Sequence, residues 1–340
     1  MKYTFWNNKG GTGKTSLCFQ TIAEYAISNP EKKILCVDLC PQANLTELML
    51  GGLLNRGSER LNILWDEPQR RSIGGYFQVR LSTPYNIPTI NINDYIAKVS
   101  HYNSNIPANL DIIAGDRIIE LQANSISALS ITQIPGVNTY VKVVSWLQDL
   151  FNSIEESNSY DVIFIDTNPS FAIYTQIAIT ATDRLIVPVM ADDSSRRALS
   201  NVFSLVYGIN LPSSIYNDYA YNTKISSEGL SLPKIHLIAK NRLTQYMGPA
   251  SAYHSVLTSI DQDIQSIINT HPDIFTFTDL HEGIANIRDF QTAGVVSFAK
   301  ATPFTKLSVG RHNIFGNETQ VKQEYLNNCI EAMESITQKL

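Results

Sequence analysis

Lys9-Gly10-Gly11-Thr12-Gly13-Lys14-Thr15-Ser16 sets three glycines between two lysines and ends on two hydroxyl residues. The short apolar run Tyr3-Thr4-Phe5-Trp6 stands just before it. After it, residues 14–28 follow a helical pattern with Leu17, Cys18, Ile22, Tyr25 and Ala26 on one face. Strand, glycine-rich turn and helix start together make a phosphate cradle. Glycines let backbone N–H groups point at phosphate oxygens, and the helix N-terminus adds its partial positive charge. In that cradle Lys14 reaches the β- and γ-phosphates, and Thr15 sets its hydroxyl on Mg²⁺. The usual loop opens on a glycine where Asn8 stands here, and Lys9 is a second lysine just ahead of the glycine pair.

The cradle begins a βαβ unit. Ile34-Leu35-Cys36-Val37-Asp38 reads as its second strand, apolar on both faces as buried parallel strands are. Leu110-Asp111-Ile112-Ile113-Ala114-Gly115, Asp161-Val162-Ile163-Phe164-Ile165-Asp166, Arg184-Leu185-Ile186-Val187-Pro188-Val189 and Lys234-Ile235-His236-Leu237-Ile238-Ala239 read as further strands. Residues 274–277 read as a late or edge strand, residues 139–156 as a helix, and residues 318–340 as an amphipathic C-terminal helix. Strands alternating with helices predict one α/β domain over residues 1–340, a doubly wound and mostly parallel sheet flanked by helices. Residues 51–108 break the pattern and predict a mostly irregular or short-helix insertion after the second strand. Residues 207–233, rich in Tyr, Asn and Ser, predict a long surface loop.

Composition narrows the function. The chain has 340 residues with 26 Lys and Arg against 31 Asp and Glu, a net charge of −5. That balance excludes a globally basic nucleic-acid coat, so any nucleic-acid contact must come from a local patch. A hydrophobic content of 44% supports a large core and excludes a disordered chain. Cys18, Cys36, Cys40 and Cys329 form no CxxC pair, which favours reduced thiols over a disulfide framework or a zinc site. No targeting segment and no apolar run of roughly 20 residues is present, so a soluble cytoplasmic protein without a membrane span is expected.

Lys9 to Thr15 resembles the deviant Walker A motif of the ParA/MinD ATPases. Val37-Asp38-Leu39-Cys40-Pro41-Gln42-Ala43-Asn44-Leu45-Thr46 resembles the second motif of the ParA branch, and Asp166-Thr167-Asn168-Pro169-Ser170 is similar to the family's Walker B turn. The strand at 184–189 matches a further family strand, and Asn241-Arg242 resembles the segment that contacts the base. The resemblance implies ATP and Mg²⁺ as ligands, with Lys9, Gly10, Gly11, Thr12, Gly13, Lys14, Thr15 and Ser16 around the phosphates and Asn241 and Arg242 at the base. It implies an ATP-bound homodimer in which Lys9 crosses to phosphate on the partner's nucleotide. Asp166 ends a buried strand, where Mg²⁺ and its waters would compensate the carboxylate. Asp38 ends the neighbouring strand, at the crevice where such sheets bind ligands, and is assigned to Mg²⁺-water or phosphate-side contacts.

The chain departs from the family at Cys40, where the second motif carries an Asp that orients the attacking water. A thiol is a weak, uncharged hydrogen-bond partner at neutral pH. Phosphoryl transfer rests on positioning and electrostatics, so slow hydrolysis is expected, with Asp38 or Asn168 as partial substitutes. The leading reading is a ParA-like partition or positioning ATPase that binds DNA non-specifically, is nucleoid-associated when it does so, and answers to an adaptor or activator protein. Lys300, Lys306 and Arg311, with Arg288 and Lys322 beside them, are the candidate DNA contacts. One alternative is a MinD-like protein-positioning ATPase without DNA binding. Another is a small-molecule synthetase sharing the loop, against which Pro41-Gln42-Ala43-Asn44 argues.

Overall fold

The computed structural model of the chain describes residues 1–157, 160–243 and 252–340. Among the described residues ten strands form, in chain order: β1 (Lys2–Phe5), β2 (Ile34–Leu39), β3 (Ile96–Lys98), β4 (Leu110–Ile113), β5 (Val162–Thr167), β6 (Arg184–Val189), β7 (Lys234–Leu243), β8 (Ile284–Arg288), β9 (Gly310–Ile314) and β10 (Asn317–Val321). The first eight make one sheet in the order β3-β4-β2-β5-β1-β6-β7-β8. All neighbours run parallel except β3, which pairs antiparallel with β4 at the edge. β9 and β10 form a separate antiparallel hairpin.

Thirteen α-helices accompany them among the described residues: α1 (Lys14–Ser28), α2 (Asn44–Met49), α3 (Gly57–Asp66), α4 (Ile73–Ser82), α5 (Ile118–Ser130), α6 (Thr139–Val144), α7 (Trp146–Ser157), α8 (Ile173–Thr180), α9 (Asp193–Tyr207), α10 (Tyr221–Ser226), α11 (Ala252–Thr270), α12 (Gln291–Lys300) and α13 (Gln323–Thr337). β2 shows why the sheet is doubly wound. Leu35, Val37 and Leu39 enter one core layer with residues of α4 to α11, while Ile34 and Cys36 enter the other with α1, α2, α3, α12 and α13. A strand buried at every position needs cover on both faces, and the helices of the two layers supply it. β1 and β2 flank β5, with Phe5 and Asp38 both in register with Asp166. The carboxyl ends of the central strands therefore meet at one edge, where such sheets hold ligands.

The parallel sheet bears out the predicted fold class. Several local expectations need correction. Residues 51–108 hold short helices, as expected of them, in α3 and α4, but add the edge strand β3. Part of this segment is tied to the far end of the chain: Leu54 N donates to Ala299 O and Asn103 Nδ2 to Ala301 O, each at 2.9 Å. Residues 207–233 hold a 3₁₀ turn at Ser214–Tyr219 and α10, whose Tyr221 and Ile225 are buried; the stretch is partly core, not only loop. The expected helix over 139–156 breaks at Ser145 into α6 and α7. Residues 274–277 make an isolated bridge, Phe275 to Ile235, and the edge strand is β8 instead. The C-terminal segment opens as β10 before α13 begins at Gln323.

Candidate nucleotide-binding site

The phosphate loop joins β1 to α1 and is pinned at three places. Asn7 Nδ2 donates to Pro188 O on β6 at 2.6 Å, and Asn7 Oδ1 accepts from Lys9 N at 3.1 Å. Asn241 Nδ2, from β7, donates to Thr12 O at 2.9 Å. Gly13 caps α1 with φ of 77°, and a Cβ there would stand 2.5 Å from Asn241 Nδ2. A side chain at this position would meet both backbone strain and a clash, so the glycine is required. A cleft of about 790 Å³ opens above the loop, lined also by Cys40 to Gln42, Thr167 to Pro169, Arg117, Glu120 and Arg242. That volume lies within the usual range for small-molecule sites. Lys14 is nearly buried at the cleft floor, and burial pulls its ammonium below the usual lysine value while the Asp166 charge opposes. An anionic ligand is what would restore that charge.

Thr15 Oγ1 donates to Asp166 Oδ2 at 2.8 Å. Asp166 is fully buried and its Oδ1 has no hydrogen-bond partner. Burial, then the charge of Asp38, pushes this carboxyl well above the ordinary range. A fully buried, half-satisfied carboxylate next to a hydroxyl fits a hard divalent cation and its waters. Among the described residues no cluster of three or more His, Cys, Asp and Glu holds a metal by itself. Thr15 and Asp166 would hold Mg²⁺ together with the nucleotide's phosphates, the usual mode for this ion.

Asp38, expected on the metal or phosphate side, makes three hydrogen bonds within its own chain. Its Oδ2 accepts from Thr46 N at 2.9 Å and Thr46 Oγ1 at 2.8 Å, and its Oδ1 from Cys40 N at 3.1 Å. Both oxygens are occupied in holding the turn that leads into α2. A Cβ on Gly115 would stand 2.8 Å from the Asp38 carboxyl carbon, so β4 closes over this carboxylate. Asn241 likewise has its amide engaged, by Thr12 O and Arg242 N, which makes it a buttress of the loop; Arg242 is the member of the pair that lines the cleft. Cys40 does line the cleft, 8% exposed. Burial, with the charges of Asp38 and Asp166, pushes its thiol up to about 12, so it stays neutral.

Lys9 leaves its own cleft. Its Nζ lies 2.7 and 2.6 Å from the two oxygens of Asp192 and 3.1 Å from Ser195 Oγ. Asp192 is the N-cap of α9, accepting from Ser195 N at 2.7 Å. The capping pattern Asp-x-x-Ser after β6 was the sequence signal for that partner. Arg117 and Glu120 are a second omission: they follow β4 at the start of α5, at the ligand edge of a parallel strand. The candidate DNA residues fall on the α12–β10 face. Lys300 Nζ sits 2.8 Å from His312 Nδ1, Arg311 pairs with Glu318 at 3.2 Å across the exposed hairpin, and Lys306 is exposed.

Fold and loop together define a P-loop nucleotide-binding protein. A family model described as "AAA domain" matches residues 2–219, and the chain belongs to that family, within the ParA branch of the ParA/MinD ATPases. The virulence plasmid ParA family protein pGP5-D of Chlamydia psittaci is 29% identical over 209 residues, 61% of this chain and 64% of the relative. McdA from Cyanothece, solved as an ATP complex, matches with a TM-score of 0.63 at 13% identity, over 99% of this chain and 95% of the other. pNOB8 ParA bound to nonspecific DNA matches with a TM-score of 0.51 at 16% identity, over 98% of each chain. At these identities the two structures show the fold. The matches span 51–64% of the curated relatives' own lengths. Among the described residues no helix is long and apolar enough to cross a membrane.

Proposed function

We propose that this chain is an ATP-dependent dimerising switch of the ParA kind, which binds DNA without sequence preference and partitions or positions DNA or another cargo. The observation that carries the proposal is the divergence of the two lysines on one loop. Lys14 lies in the cleft, whereas Lys9 points out of it to Asp192. That divergence supports a role for Lys9 toward a nucleotide other than its own. A triphosphate brings more negative charge than Lys14 neutralises, and a second chain's Lys9 completes the balance, so dimerisation follows ATP. When bound, Mg²⁺ supplies charge neutralisation at the phosphate oxygens. Within the chain, the amides of residues 10–15 cradle the phosphates, Lys14 binds them and Arg242 faces the base side.

The DNA part of the proposal draws on the pNOB8 neighbour and on Lys300, Lys306 and Arg311 near the β9–β10 hairpin. A cytoplasmic, nucleoid-associated location and an adaptor protein that stimulates release belong to the same reading. The MinD-like alternative needs a free amphipathic helix. The apolar face of α13 is instead buried in the core through Leu326, Cys329, Met333 and Ile336. Light scattering on a sizing column tests the switch. Wild type should shift from monomer to dimer with ATP and Mg²⁺, and Lys9→Ala should bind ATP yet remain monomeric. A Lys9→Ala protein that dimerises as wild type does would refute the cross-subunit role.

A further inference from the structure

The missing carboxylate at position 40 leaves a question of where the attacking water finds an acceptor. Asp38 has both oxygens engaged by Thr46 and Cys40 N. The Asn168 carbonyl accepts from Ser170 N at 3.1 Å and Ser170 Oγ at 2.8 Å. Glu120 is the one carboxylate among the described residues that line the cleft, where it shares the wall with Cys40 and Asn168.

Glu120 is exposed to the cleft and is tied to its wall through Tyr174. The Tyr174 hydroxyl lies 3.4 Å from Glu120 Oε2, and Asn168 Nδ2 donates to the same hydroxyl at 2.5 Å. Tyr174 is 2% exposed, and burial holds its hydroxyl protonated. It is therefore a fixed donor. Arg117, in the turn that leads into the same helix, stacks on Trp65 with its guanidinium carbon 5.4 Å from the ring. No salt bridge among the described residues engages Glu120.

We infer that Glu120, bonded by Tyr174, whose hydroxyl Asn168 holds in turn, is the carboxylate that orients the attacking water and takes its proton in place of the Asp that Cys40 replaces. The inference rests on the ATPase reading above. The water oxygen forms a bond to the γ-phosphorus as the bond from that phosphorus to the β–γ bridging oxygen breaks. ADP leaves with the electron pair, and the water proton passes to Glu120 and from there to the released phosphate. Tyr174 is a positioning residue, since it acts through Glu120.

Glu120→Gln keeps the shape and the bond to Tyr174 but removes the acceptor charge. It should lower kcat by about 10²-fold, the usual scale for a lost general base. By calorimetry with Mg²⁺, its affinity for ADP and for a non-hydrolysable ATP analogue should stay within about twofold. Its affinity for ADP with aluminium tetrafluoride, which mimics the transferring phosphoryl group with water in line, should fall about tenfold or more. Cys40→Asp in the Glu120→Gln background should restore most of the turnover. Tyr174→Phe should lower kcat several-fold with KM unchanged, as a positioning role requires. Glu120→Gln with wild-type turnover and wild-type affinity for the fluoride mimic overturns the inference. A wild type that binds ATP and never hydrolyses it also overturns it, while leaving the ATP-binding reading in place. A wild type without ATP affinity overturns that reading first.

Discussion

Replacing Asp192 by Asn is expected to tighten the ATP-dependent dimer by about 10- to 30-fold. In the single chain the Lys9 ammonium is held by both Asp192 oxygens, at 2.7 and 2.6 Å. A lysine so held must be released before it can cross to a partner's phosphate. The Lys9 side chain is 22% exposed and that of Asp192 38%, so solvent screens the pair and its strength sits near the surface scale of about 1 kcal/mol. A two-fold dimer breaks the contact twice, a total of about 2 kcal/mol, and each 1.4 kcal/mol is about tenfold in affinity. Asn is as good an N-cap as Asp, so α9 should keep its start while the charge is lost. Burial alone would raise the Asp192 carboxyl, but the bonds from Lys9, Ser194 and Ser195 outweigh it and hold the group at about 2. A depressed carboxyl contributes stability above its ordinary value of 3.8, and this is lost only as pH falls through about 2. The contact is thus fully formed across the neutral range, and this carboxyl adds no pH dependence to dimerisation between about pH 5 and 8. Sedimentation equilibrium with a non-hydrolysable ATP analogue and Mg²⁺ measures the effect. Equal or weaker dimerisation of Asp192→Asn would refute the view that the ion pair restrains Lys9.

Paired charge reversal, Lys306→Glu with Arg311→Glu, should weaken binding of arbitrary duplex DNA by the ATP-bound protein and flatten the salt dependence of wild-type binding, read by fluorescence anisotropy across a salt series. Asn241→Ala removes the bond to Thr12 O and should weaken ATP and GTP alike by several-fold; a changed preference between the two nucleotides in calorimetry would mean that Asn241 reads the base after all.

The legible part of the fold was the part written in local chemistry. β6 is legible because the apolar run Leu185 to Val189 opens directly behind the charged pair Asp183 and Arg184. α1 likewise starts at Lys14 behind glycines and stops at Ser28 before Asn29 and Pro30. β3, β8 and the β9–β10 hairpin escaped because edge strands carry few buried positions. β8 alternates Ala285 and Ile287 inward against exposed neighbours over only five residues, a pattern too short to separate from a turn. The break between α6 and α7 has no proline or glycine to announce it; Trp146 and Tyr76 meet there in a tertiary contact, Tyr76 Oη donating to Trp146 O at 2.6 Å.

The site divides along the same line. The residues proposed to hold phosphate and metal are legible because one contiguous loop and one strand end carry them, and their spacing follows from backbone geometry. The residues proposed to tune the site come from separate segments: Asp192 from the start of α9, Glu120 from α5, Tyr174 from α8 and Asn241 from β7. Their partners lie 183, 54, 6 and 229 positions away in the chain, so for three of the four no local pattern records the contact. Asp38 shows the converse. Its position in the motif was plain, yet whether it faces a metal or a turn depends on Thr46, eight residues on, whose amide and hydroxyl both take up one oxygen. The motif locates a carboxylate at the ligand edge of the sheet; the hydrogen bonds around it decide its role. On the inference made for Glu120, the loss of a carboxylate at Cys40 need not make the site inert, because a neighbour from another element lines the same cleft.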